Sequence, residues 1–143
     1  MSLFKHHYPL LVLALLITSC GNNQKPTQLT YVKYVAHKQG DTAIVLLNQS
    51  KEMFTGTMMI NEHGVFRDSG TVKGLVKGDT LIGEFHFLHY KLEWKRKPVA
   101  FLMKNNHLIM GEGITKMTVG IPHFDPSVPI DFSEDKQFVF FRD

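Results

Sequence analysis

Residues 70–87 constrain this chain more than any other stretch. Val72, Gly74 and Val76 share one parity, and Lys73, Leu75 and Lys77 share the other. After Lys77-Gly78-Asp79-Thr80 a second apolar row follows: Leu81, Gly83, Phe85 and Phe87, opposed by Ile82, Glu84 and His86. In a strand successive side chains point to opposite faces, so alternation on both sides of a Gly-Asp turn predicts a β-hairpin. Glycine takes positive φ cheaply and aspartate tolerates turn geometry.

The rest of the chain after residue 30 carries the same period. Met53 to Ile60 places Phe54, Gly56, Met58 and Ile60 in one row. Val99, Phe101 and Met103 form another, and Leu108, Met110 and Glu112 a third. Lys95-Arg96-Lys97-Pro98 reads as an interruption. Met117 to Ser127, with Gly120, Pro122 and Pro126, reads as a long loop or irregular edge strand. Val128 to Phe132 contains Pro129 and is expected only at an edge or bulge. Gln137 to Arg142 closes the chain. No helical period persists beyond a turn or two. The fold expected over residues 30–143 is all-β: an antiparallel meander of about eight strands, closed or partly open as a barrel, with a sandwich as the alternative. Glycines 56, 74, 83, 111 and 113 lie inside strand patterns. Such glycines mark bends or close approach, which favours the barrel.

The amino-terminal stretch has a different character. Leu10 to Ile17 is continuously apolar. It is too short to span a bilayer, which needs about 20 residues. Its length and flanks suit the apolar region of an export signal, expected as a helix. Ile17-Thr18-Ser19-Cys20-Gly21 then resembles the lipobox of bacterial lipoproteins. The resemblance implies a signal peptide over 1–19, cleavage before Cys20, and lipidation of its thiol and new amino group. Cys20 is the only cysteine, so no internal disulfide forms. Residues 20–29 read as the lipidated cysteine and a flexible polar tether. Gly21 is not the aspartate that retains enteric lipoproteins in the inner membrane, so the resemblance favours the outer membrane.

A wider resemblance spans most of residues 31–142. Phe54-Thr55-Gly56, Gly70-Thr71-Val72-Lys73-Gly74, Gly78-Asp79-Thr80-Leu81, Phe85-His86-Phe87 and the ending Pro126-Ser127-Val128 through Phe138-Val139-Phe140 look like small lipoproteins of the Bacteroidota. These motifs are turns and core positions. The resemblance implies a lipobox signal peptide followed by a β-rich domain, and it implies no activity.

Candidate chemistry is sparse. Formal net charge is +3 over 143 residues, without the clustered basic excess of a nucleic-acid binder. His86, His89, His107 and His123 lie at no recognised metal spacing, and no cofactor or metal is implied. No serine sits in a nucleophile elbow. Glu112 shares parity with Leu108 and Met110. Facing the interior it is a buried acid with a raised pKa and a ligand contact; at a strand end it is a rim residue. Lys91, Trp94, Lys95, Arg96 and Lys97, beside Tyr90, form a basic-aromatic cluster. It is read either as a contact for anionic lipid headgroups or as a solvated hairpin loop. The expected function is a lipid-anchored envelope protein, a non-enzymatic structural or interaction module whose partner is another envelope protein. The alternative is a carrier holding a small apolar ligand in a lipocalin-like barrel.

Overall fold

The computed structural model describes residues 30–143. The expected signal peptide over 1–19, and Cys20 with the expected tether over 20–29, lie outside the described residues. Ten strands follow in order: β1 Val32–Lys38, β2 Asp41–Gln49, β3 Met53–Glu62, β4 Phe66–Lys77, β5 Thr80–His89, β6 Glu93–Lys104, β7 His107–Met110, β8 Thr115–Thr118, β9 Ile121–Phe124 and β10 Val139–Arg142. Eight of them close an antiparallel barrel in the order β1-β10-β7-β6-β5-β4-β3-β2, and β8 and β9 form a separate hairpin. The barrel expectation therefore holds, and the sandwich does not.

Tight turns set the meander. At Gly78-Asp79 only Gly78 has positive φ, 61°, and the ladder resumes at Lys77↔Thr80. That is the glycine-first pattern of a type II′ turn, whose twist suits paired strands. The related Lys38-Gln39-Gly40-Asp41 turn also has a two-residue loop, but both Gln39 and Gly40 are at positive φ, as in type I′. The two similar sequences thus make different turns at opposite ends of the barrel.

The parity rows read from the sequence face inward. Phe54, Phe85, Phe101 and Phe140 are fully buried, with Met58, Leu81, Val45, Val72 and Val99 around them. Phe85 stacks on Phe87 at 4.5 Å, and Phe101 meets Phe140 edge-on at 5.8 Å. Each such side chain contributes about 1.5–3 kcal/mol by leaving water. Inward glycines make the room. A Cβ at Gly74 would stand 2.7 Å from the Phe54 ring, so large and small residues alternate across facing positions, as small barrels require. The outer wall carries Thr55, Thr57, Lys33, Lys73, Glu84 and Arg96, and Glu84 pairs with both Lys73 (3.3 Å) and Arg96 (3.5 Å). Apolar inside and polar outside is the reverse of a membrane-spanning barrel.

Two expectations are corrected. Lys95-Arg96-Lys97-Pro98 does not interrupt a strand; β6 runs straight through it. Met117 to Ser127 contains a second hairpin, and Val128 to Phe132 adds only the single bridge Glu112↔Asp131. Residues 111–137 wrap the outside. Ile130 and Phe132 lie against Gly111, and Phe124 against Gly113. Two Asp-x-Ser turns pin this wrap: Asp125 accepts from the backbone and hydroxyl of Ser127, and Asp131 from those of Ser133. Lys116 also binds Asp125 at 2.8 Å. These three donors hold the buried Asp125 carboxyl well below the usual range, led by Lys116. The resulting stability is present above the ordinary aspartate pKa near 3.8 and is lost as acid protonates the folded carboxylate.

Candidate binding end

The barrel has two unlike ends. One carries the turns at 50–52, 78–79 and 105–106, and there the chain enters β1 at Val32. The other carries the turns at 39–40, 63–65 and 90–92 and both ends of the 111–137 wrap. At this second end, the mouth, the inward rows change from apolar to charged. The β3 row passes from Met58 and Ile60 to Glu62, the β4 row from Val72 to Asp68, the β5 row from Phe87 to His89, and the β6 row from Val99 to Lys97. A cavity of about 400 Å³ opens there, lined among others by Asp41, Glu62, Lys97, Glu112, Lys136 and Phe138.

The charged groups are tied to one another. His89 Nδ1 donates to the buried Asp68 carboxylate at 2.7 Å. Tyr90 donates its hydroxyl to Glu62 at 2.7 Å, which raises the phenol pKa because the carboxylate holds the proton in place. The Tyr90 ring stacks on His89 at 3.7 Å and lies 4.8 Å from Phe66. Lys97 points inward over the Phe85 and Phe87 rings, 5.7 and 5.4 Å from their centroids. Burial holds its pKa below the usual lysine range, and the negative charges of Asp68 and Glu62 only partly offset this. The barrel therefore carries a cation that costs stability.

That cost has a measurable sign. The unfolded chain binds the Lys97 proton more tightly than the folded barrel does. Lys97 thus makes stability rise with pH between its lowered folded pKa and the ordinary value near 10.5. Lys97→Met keeps the packing over the two rings and removes the charge. It is expected to raise Tm at neutral pH by about 2–6 °C and to abolish that alkaline rise. Thermal melts across pH 7–11 check both, and a lower Tm would show that the ammonium is a net structural gain.

The predicted cluster is divided by the strand. Lys97 enters the mouth, and Lys95, in the same inward row opposite Phe87, lies exposed towards the rim 2.8 Å from Glu93, while Arg96 pairs with Glu84 on the wall. Lys91 lies exposed in the 90–92 turn at positive φ. Trp94 is 64 % exposed, with its ring 4.9 Å from His86. Glu112 is not a buried acid. It sits exposed at the rim, bridged to Asp131 through the backbone and accepting from Gln137 at 3.1 Å. The four histidines are dispersed. His86 lies on the wall, His89 in the mouth, His107 beside Phe141 and Glu134, and His123 on the wrap bonded to Thr118. Among the described residues, no group of three or more histidine, cysteine or acidic side chains is placed to hold a metal.

Sequence reasoning missed Val65, Phe66 and Leu92. Val65 is 77 % and Leu92 83 % exposed in the neighbouring 63–65 and 90–92 turns, and the exposed Phe66 and Trp94 lie at the starts of the strands that follow them. The available signal was an apolar residue inside each turn. Comparison with protein families, with curated proteins and with solved structures finds no match.

Proposed function

We propose that this chain is a lipid-anchored envelope protein whose barrel works as an interaction module, binding another envelope protein through the mouth end. The observation that carries this reading is the concentration of exposed Val65, Phe66, Leu92 and Trp94 around a charged mouth, at the end opposite the one where the chain enters the barrel. Exposed apolar patches rimmed by polar groups mark binding surfaces on soluble domains. Lys91, Lys95 and Arg67 around the rim supply orientation and discrimination rather than bulk affinity. The cost of the Lys97 charge suits a group kept for binding, since binding sites commonly trade stability for function. An anchor at Cys20 would attach on the entry side of the chain and leave the mouth turned towards the compartment. A small apolar ligand within the barrel gains no support from its centre, which Phe54, Phe85, Phe101 and Phe140 fill.

A photo-crosslinking amino acid in place of Leu92, in living cells, tests this. Discrete adducts are expected from position 92, few from Thr57 on the wall, and a loss of about tenfold or more when Val65→Asp is added, as for a central apolar contact. Equal adducts from positions 57 and 92, or none from 92, would count against the mouth as the binding end.

A further inference from the structure

The second apolar surface lies on the β8–β9 hairpin. Its base is fixed at the mouth, where Phe124 packs on Gly113. From there it runs back along the outer wall over β6 and β5. Ile121 shares a groove with Met53, Leu75 and Lys77, residues next to the turns of the opposite end. The tip therefore points towards the end where the chain enters the barrel. Met117 is 64 %, Val119 96 % and Ile121 53 % exposed, and Met53 and Leu75 beside them are half exposed. No acidic residue occurs between Gly113 and Asp125, whereas Lys116 and His123 do.

Val119 has φ of 49°. A β-branched residue rarely adopts left-handed backbone, where its Cβ crowds the following carbonyl. Nothing in the fold repays this strain, because the side chain is almost wholly in solvent. Glycine or asparagine would make the turn more easily.

We propose that the β8–β9 tip is a membrane-contacting finger, its Met117, Val119 and Ile121 side chains entering the interfacial region of the bilayer. The chain outside the structure selects this occupant. Cys20 precedes residue 30 by ten positions, which reach about 35 Å at full extension. Lipidation at Cys20 would hold the entry end beside a bilayer, and the tip points the same way. Exposed apolar side chains at the tip gain by entering that region, Glu84 at the floor of the neighbouring groove being paired with Lys73 and Arg96, and a first lipid attachment makes a weak second contact effective. The finger and the anchor would together orient the barrel with its mouth outward. The proposal extends the anchored reading and can fail separately from it.

The test uses the full-length protein, processed in cells, extracted in detergent and reconstituted into phosphatidylcholine–phosphatidylglycerol vesicles with brominated acyl chains. Met117→Trp is made in a Trp94→Phe background, and the parent, with its one tryptophan at the mouth end, is the reference. The expected result is co-flotation of both, about twofold or greater quenching of the indole introduced at 117, and little change at Trp94. Val119→Asn, which suits the left-handed backbone, is expected to keep the fold and lessen the quenching at 117. Co-flotation without quenching at 117 overturns the finger and leaves the anchor standing. Absence of both flotation and quenching overturns both. A concentration-dependent blue shift at 117 without lipid points to a second copy of the chain and also overturns the proposal.

Discussion

Gly83→Val is expected to abolish the cooperative unfolding transition of the barrel. Gly74 and Gly83 face one another across β4 and β5 in the inward row. A Cβ on Gly83 would lie 2.0 Å from the Lys73 carbonyl oxygen and 2.6 Å from the Gly74 Cα. The reverse holds for Gly74, whose Cβ would meet the Ile82 carbonyl oxygen at 2.2 Å and the Gly83 Cα at 2.6 Å. These neighbours are backbone, so no rotamer change relieves the overlap. The strands would have to part, losing ladder bonds on the long β4–β5 pair and exposing Phe54 and Phe85. Ordinary overpacking costs about 1–3 kcal/mol, and this substitution also breaks a ladder, which brings the loss near the ~5–15 kcal/mol that holds a typical domain together. Gly78→Ala is the control. Nothing lies within 4 Å of its Cβ, and only the φ of 61° penalises it, by roughly 1 kcal/mol. Urea melts followed by circular dichroism separate the two. A Gly83→Val barrel with a urea midpoint close to the parent's would mean that β4 and β5 approach less closely than these distances require.

Cys20→Ser is expected to release the protein from membranes while leaving the barrel intact. The lone cysteine ends an export-type apolar run and precedes a polar tether. Among the described residues, no helix is long and apolar enough to cross a membrane. Each buried methylene of an acyl chain contributes about 0.8 kcal/mol; one chain holds marginally, and two or three hold durably. A serine offers no thiol to the lipid, so metabolic lipid labelling should vanish and the protein should move to the soluble fraction. Its melting should not change, because the core begins at Tyr34 and Ala36, well beyond the tether. Complete sedimentation of the serine variant with membranes would refute the anchor. The β8–β9 finger alone is too small to produce it, since a few interfacial side chains give reversible binding.

The inward rows were legible because alternation is a local property. Leu81, Phe85 and Phe87 had to share a face wherever the hairpin lay, and so did Phe54, Met58 and Ile60. The Gly78-Asp79 turn was legible for the same reason: its chemistry is contained in four residues. The mouth was not legible. Lys97 looked like part of an exposed basic loop because Pro98 follows it, and proline removes a ladder donor. The strand tolerates Pro98 because β7 pairs only with Phe101 to Lys104, which leaves β6 an edge on that side at residue 98. That depends on where β7 stops, which no local pattern records. The β8–β9 hairpin was hidden in the same way, since Val119-Gly120 puts a β-branched residue where turn chemistry calls for asparagine or glycine. Closure itself rests on Val35↔Phe141 and Val139↔Ile109. These pairs join residues far apart in sequence, and the first joins nearly the two ends of the described chain. Residue order fixed which side chains face inward; only the closed barrel decided which of the charged ones meet at the mouth, because that depends on strand stagger around the whole ring.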